Sequence, residues 1–450
     1  MRKEGLPERA TRHFLEALRF VSSGAATTIA EAAIEPVNAL PEAADLEAFA
    51  EAGRVAASST VVIKLNGGLG TSMGLSKAKS LLPVRPGLSF LELIARQIRW
   101  QRENGAPGLA LLLMNSDRTR TDSLAALAAH GDLASERPLD FLQHKVPRID
   151  AATWTPVESP EEESLAWCPP GHGDLYLALE SSGMLQKLRS QGVRYAFVSN
   201  ADNLGAVVDP RILGWFATEK IPFAMEVVRR READRKGGHL ALRNGRLMLR
   251  ELAQCPPDEL DTFQDIDRHR YFNTNNLWLD LDVLDRALSE GGTGIQLPIM
   301  ENSKHVRSGE ASSPLCVQLE TAMGAAIESF EGAEAIVVSR DRFVPIKTTN
   351  DLLVVWSDAY VLSEDARMRS TDAEANHTRV IDLDPKYFGT IEDLRARFPD
   401  GAPSLAKCRK FFVRGDHCFG KGVCVEGAVQ LVNESDAQIQ ISSGALLRGE

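Results

Sequence analysis

A run of glycines and lysines offers the clearest chemistry in this chain. After the β-branched stretch Thr60-Val61-Val62-Ile63 comes Lys64-Leu65-Asn66-Gly67-Gly68-Leu69-Gly70-Thr71-Ser72-Met73-Gly74-Leu75-Ser76-Lys77-Ala78-Lys79-Ser80. Glycine permits positive φ and close backbone approach. Successive N–H groups in such a turn form an anion-binding nest, and Lys77 and Lys79 add point charges. Two familiar phosphate loops do not fit. The loop lacks the Gly-Lys-Ser/Thr end of a Walker A motif, and Met73 stands where a dinucleotide fingerprint needs its third glycine. Taken alone, the loop implies an anion site, with a tight turn whose glycines only relieve strain as the alternative.

Four further blocks carry polar groups in short, turn-like contexts. Pro169-Pro170-Gly171-His172-Gly173-Asp174 exposes backbone around one histidine, which can donate to a phosphate or a sugar hydroxyl; a solvated turn is the competing reading. Ser199-Asn200-Ala201-Asp202-Asn203-Leu204-Gly205 begins where a buried strand ends, the place where open α/β sheets bind ligands. A carboxylate there can hold Mg²⁺ with substrate phosphates completing the shell; an Asx turn is the alternative. Phe272-Asn273-Thr274-Asn275-Asn276-Leu277 offers three carboxamides to sugar hydroxyls, or is a polar turn. Lys347 precedes an expected helix start, which already favours anions; a solvated lysine beside a cap is the other reading. Gln143, in an expected strand at 141–146, either reads a base edge or sits on a sheet edge.

The elements that must position these groups alternate strand, loop, helix. Thr60–Ile63 is an expected strand, 90–104 a helix ended by Gly105 and Pro107, and 109–114 a continuous apolar strand buried on both faces. A helix at 122–129, a strand at 141–146, one helix over 175–189 and a strand at 195–198 follow. Further strands are expected at 223–228, 277–279 and 336–338, a hairpin at Asn244-Gly245, and a helix through Leu319, Met323, Ile327 and Phe330. This is an α/β pattern with a mixed, mostly parallel sheet and right-handed crossovers. Before it, residues 1–59 read as a peripheral helical segment without a functional reading, with helices around Phe14–Val21 and over the alanine-rich 28–34. The catalytic domain is expected over 60–362, a linker over 363–384, and a small all-β module over 385–450, where Val413–Val432 has short apolar steps between glycines.

Composition excludes several classes. With 450 residues, 44% hydrophobic and 25% charged, the chain reads as soluble and globular, without an apolar run of membrane-spanning length or a secretory leader, so cytoplasmic residence is the default expectation. Six scattered cysteines form no CxxC pair and imply idle thiols. A net charge of −11 argues against nucleic-acid and membrane partners. A polyanionic substrate would then require cations concentrated in a few motifs.

Together, the five blocks resemble the UTP–glucose-1-phosphate uridylyltransferases of eukaryotic type, in the family's order and from about residue 60 onward. Leu113-Met114-Asn115-Ser116, Ala233-Asp234-Arg235-Lys236-Gly237-Gly238 and Gln318-Leu319-Glu320-Thr321-Ala322 add to the likeness. The resemblance implies a Rossmann-like nucleotidyltransferase domain, a C-terminal left-handed β-helix, and formation of UDP-glucose and pyrophosphate from UTP and glucose 1-phosphate. It implies that Leu65, Asn66, Gly67 and Gly68 hold the nucleotide, with Gln143 and Gly171 at the uracil. Lys79 and Lys347 would contact the UTP phosphates and act catalytically; His172, Asn200 and Asn275 would touch glucose 1-phosphate; Asp202 would ligate Mg²⁺.

The Leu-Asn-Gly-Gly of the loop, against Leu-Ala-Gly-Gly in related enzymes, favours glucose over an N-acetylated amino sugar. The rivals are the same chemistry on N-acetylglucosamine 1-phosphate or on a broader sugar range, a dinucleotide-dependent oxidoreductase, and a silent sugar-nucleotide sensor. Two departures stand out. Lys77-Ala78 replaces the family's frequent Gly-Pro, and the C-terminal domain reads as short, which bears on any homo-oligomer formed through that end.

Overall fold

A computed structural model describes residues 1–133, 139–159, 162–289, 295–307, 310, 312–372 and 379–449. Its centre is a ten-stranded mixed sheet. The parallel part runs through Tyr195–Asn200, Thr60–Asn66, Ala110–Asn115 and Asp140–Leu142. Tyr271–Asp280 joins Tyr195–Asn200 antiparallel, and Phe223–Arg229 and the hairpin His239–Arg243/Arg246–Arg250 extend the sheet beyond it. Glu334–Val337 pairs parallel with Phe223–Arg229.

Period-two alternation decides what each face packs against. Val62, Leu111 and Leu113 point into one core cluster, which also takes the helix Phe90–Glu103. Val61, Ile63, Leu112 and Met114 point into the other, against Leu175–Ser181 and Met184–Ser190. Both faces are covered, which is why these strands are apolar on consecutive residues.

Several expectations change in detail. The single helix expected over 175–189 is two, because Gly183 takes φ 71 between them. The strand expected over 141–146 ends at Leu142, so Gln143 lies just past a strand end. The helix expected through Leu319 and Ile327 is a strand, Leu315–Thr321, followed by a 3₁₀ stretch, Met323–Ser329. Val317 and Leu319 alternate inward in that strand, while Met323 and Ile327 are buried by the turn that follows. Alanine content did not make 28–34 a helix; only Glu31–Ala33 coils before Glu35–Pro36 pairs with the hairpin. The N-terminal helix Glu8–Ser22 forms as expected.

Residues 363–384 carry the second strand of a hairpin, Met368–Ser370 on Tyr360–Leu362, and the strand Val380–Leu383; 373–378 lie outside the described residues. Val380–Leu383 opens a C-terminal parallel sheet with Cys408–Arg414, Cys424–Val432 and Leu446–Arg448. Phe388, Ile391, Phe411 and Phe419 join this module to the main core. Among the described residues, no helix is long and apolar enough to cross a membrane.

Candidate active site

The sequence blocks converge at the carboxyl ends of the parallel strands. Thr60–Asn66 leads into the glycine loop, whose Gly68 carbonyl accepts from Lys79 N–H at 3.2 Å while Leu69 bridges Ala78. The loop therefore folds back on itself and returns Lys79 to the strand end. Tyr195–Asn200, the neighbouring strand, leads into the turn bearing Asp202. Lys79 Nζ donates to Asp202 Oδ2 at 2.6 Å, and both side chains are about four-fifths buried. The other carboxylate oxygen, Oδ1, is buried without a hydrogen-bond partner. That combination suits a group that accepts a cation.

Lys347 reaches the same region from the far side. Ile346 N–H donates to the Asp202 carbonyl at 3.4 Å, and Asn203 bridges Pro345. Thr348 caps the helix Thr349–Trp356 in a capping box with Asp351, so exposed Lys347 stands at a helix N-terminus. It opens onto a cavity of about 560 Å³ that also receives Arg231, Lys236 and Arg340. Asp234 pairs with Arg340 there. Lys347, Arg231, Lys236 and Arg340 thus line one cavity together with Asp234 and Asp351.

Gln143 and Gly67 are neighbours: a Cβ on Gly67 would overlap the Gln143 carboxamide. Asn66 differs. Its side-chain Nδ2 donates to Asn115 Oδ1 at 2.7 Å and Ser123 Oγ at 2.8 Å, so it braces the adjacent strand and leaves its side-chain oxygen and main chain for a ligand. Leu65 accepts from Ala201 N–H at 3.0 Å, joining the two strand ends.

The Pro169–Asp174 block is fixed at both ends. Asp174 accepts from His144 N–H at 2.6 Å and bonds its ring at 2.7 Å, which ties the block to the Gln143 segment. Thr321 N–H donates to Pro170 O at 3.0 Å. Gly171 has φ 81 and ψ 170, a region open essentially to glycine alone, and a Cβ there would overlap the Thr321 carbonyl. Gly171→Ala should therefore lose stability, about 1–3 kcal/mol from the backbone alone. The measurement is thermal melting, and an unchanged midpoint would refute this account.

His172 Nδ1 accepts from Met323 N–H at 3.0 Å, which places its proton on Nε2. Burial lowers its pKa to about 4, so the ring is a neutral donor near pH 7. Asn275 sits in a bulge where the register shifts between Glu226 and Val227, and its φ of 58 turns it out of the ladder. Asn273 holds it from both sides, accepting from its N–H at 2.8 Å and donating to its Oδ1 at 2.9 Å.

Comparison with known proteins places this arrangement. The family model described as UTP–glucose-1-phosphate uridylyltransferase matches residues 11–426. The chain belongs to that family. A uridylyltransferase of Hordeum vulgare is 38% identical over 391 residues, 87% of this chain and 80% of the relative. One from Saccharomyces cerevisiae is 38% identical over 392 residues, 87% of this chain and 77% of the relative. The UDP-glucose pyrophosphorylase of Leishmania major, in a mutant form in complex with UDP-glucose, superposes with TM-score 0.92 at 41% identity, covering 100% of this chain and 97% of that one. A Trypanosoma brucei structure gives 0.92 at 39% identity over 100% and 97%.

Within this uridylyltransferase-family site, one group escaped the sequence reading. Glu251 follows the hairpin strand Arg246–Arg250 directly. Burial raises its pKa, against the opposing effects of Lys347 and of a hydrogen bond from Asn273. A Cβ on Gly238 would overlap its carboxylate, so Gly238 makes room for it, while Gly237 makes room for the Phe272 ring. A lone acid after an apolar hairpin strand was the available signal.

Proposed function

We propose that this chain forms UDP-glucose and pyrophosphate from UTP and glucose 1-phosphate. A phosphate oxygen of the sugar phosphate attacks the α-phosphorus of UTP in line. The bond from that phosphorus to the bridging oxygen breaks, and pyrophosphate leaves with the electron pair. The nucleophile is already anionic at pH 7, so neither a covalent intermediate nor a strong base is needed. What the protein must do is align two polyanions and offset their repulsion. The single observation that carries this reading is the meeting of Lys79, Asp202 and the Lys347 segment at the strand ends, within a chain of this family.

Gly67, Gly68 and Gln143 take the nucleoside, with Leu65 and Asn66 contributing main chain and Gly171 closing the base side. His172, Asn200 and Asn275 take the sugar phosphate, and Glu251 joins them at the hydroxyls. Asp202 would hold Mg²⁺ through its unpartnered Oδ1. Among the described residues, no three His, Cys, Asp or Glu side chains converge, so the remaining ligands would be phosphates and water. The ion would supply charge neutralisation on the triphosphate.

The C-terminal parallel strands, with Phe411 beside Val429 and Val425 beside Leu447, suit a left-handed β-helix. Exposed Val432, Ile439 and Leu446 at its end favour self-association there. Six free thiols suit a reducing, cytoplasmic setting.

The deciding experiment is a panel of sugar 1-phosphates and nucleoside triphosphates read by pyrophosphate release. Glucose 1-phosphate with UTP should dominate; preference for N-acetylglucosamine 1-phosphate would overturn the substrate assignment. His172→Phe should raise KM for glucose 1-phosphate about 10- to 100-fold, the worth of one hydrogen bond to a charged group. The sign of its pH effect is fixed. With a folded pKa of about 4 against an ordinary 6.5, the unfolded chain takes up a proton that the folded chain refuses as pH falls through that window. Stability should thus decline from about pH 6.5 to 4 through this ring. The KM for glucose 1-phosphate should show no inflection from it near 6.5; a clear one there would contradict the neutral-donor role.

A further inference from the structure

Three of the site's segments stand on one buried charge group. Glu226 is fully shielded from solvent, and Arg342 and Lys64 are almost so. Arg342 Nε donates to Glu226 Oε2 at 2.9 Å, and the guanidinium also reaches Val207 O at 2.8 Å. Trp278 Nε1 donates to Glu226 Oε1 at 3.0 Å and Asn276 Nδ2 to Oε2 at 2.9 Å. The Arg342 carbonyl in turn accepts from Asn203 at 3.0 Å and from Asn276 at 3.3 Å. Asn203 Oδ1 accepts from Val344 N–H at 3.0 Å. Beneath the same turn, Lys64 Nζ donates to Ser199 Oγ at 2.8 Å and Ala206 O at 2.7 Å, spanning the turn that bears Asp202.

The connections go to the working groups. Asn203 adjoins Asp202, Asn276 adjoins Asn275, and Val344 lies just before Lys347. A buried ion pair gives little net stability, since desolvation offsets its attraction. Its stability alone is therefore a poor reason for placing three charges here. Geometry is a better one, because a misplacement of about 1 Å can cost about 10²-fold in rate.

We propose that the Glu226–Arg342 pair, with Lys64 under the 199–206 turn, is a positioning device that sets the spacing of Asp202, Lys347 and Asn275. It rests on the reading of those three as substrate and metal groups. Glu226, Arg342 and Lys64 are buried beneath those groups and act through them.

The test is the full-length Glu226→Met/Arg342→Met double variant. Apolar replacement removes both charges together but leaves the Trp278 and Asn276 donors without their buried acceptor, so the protein should fold with a lowered melting midpoint. Turnover at saturating UTP and glucose 1-phosphate should nevertheless fall about 10²-fold. The Mg²⁺ concentration for half-activation should rise about tenfold as Asp202 loses its register. A folded double variant with parent-like turnover and Mg²⁺ response would overturn the proposal, because a merely structural pair affects melting alone. If that variant does not fold, Arg342→Lys decides. It keeps the charge but loses the fork, and should lose turnover likewise; parent-like turnover there would also overturn the proposal. The parent protein in the same assay separates the two readings. If it makes no UDP-glucose, the functional assignment fails; if it does, the variants judge the positioning role.

Discussion

Lys79→Ala should turn over about 10²–10³-fold more slowly than the parent at saturating substrates, the usual loss when one preorganised electrostatic group leaves such a site. The argument is one of scarcity. The molecule carries a net charge of −11, so its general field opposes UTP. Lys79 is the cation that the glycine loop returns to the end of the central strand, beside Asp202. Its ammonium is held by that carboxylate, and a triphosphate with its counter-ion would compete for both partners. The loss should therefore fall on kcat, where charge moves, as well as on nucleotide affinity. Stopped assays of pyrophosphate release measure it, and near-parent turnover would remove Lys79 from the mechanism.

Asp202→Ala should abolish most activity and, with it, the response to Mg²⁺. One of its oxygens is bound to Lys79 and the other is buried without a partner. An unsatisfied buried acceptor is costly, and a cation during turnover would relieve it. Titrating Mg²⁺ against rate for parent and variant is the measurement; a variant still activated by Mg²⁺ would assign the ion elsewhere. Because Lys79 and Asp202 touch, the two losses should not add in the double variant.

The glycine loop, the turn after Tyr195–Asn200 and the capped helix behind Lys347 were legible in the sequence. Each is a local device: glycines, Asn/Asp clusters and a Thr-x-x-Asp cap act within a few residues of themselves. The strands that carry them were equally plain, since Val61, Val62 and Ile63 are apolar on both faces. What could not be read was partnership across the chain. Lys64 and Glu226 were charged residues inside otherwise apolar strands, a visible anomaly, but nothing local says that Lys64 spans a turn or that Glu226 meets Arg342. Asn66 shows the same. Its place in the loop suggested the nucleotide, and its Nδ2 also ties the strand end to Asn115 and Ser123, a pairing that no local pattern announces. Helical spacing through Leu319 and Ile327 misled because a strand and a 3₁₀ turn, end to end, bury the same positions.

Gly74, at the tip of the glycine loop with φ 77, lies so close to Thr390 that a Cβ there would stand 3.0 Å from the threonine's own. Thr390 caps the helix Ile391–Arg397 of the C-terminal module. The glycine loop is thus packed against the C-terminal module, and the two touch at Gly74 and Thr390. A fused tag or a truncation that shifts the C-terminal module should therefore reach the loop proposed to cradle the triphosphate.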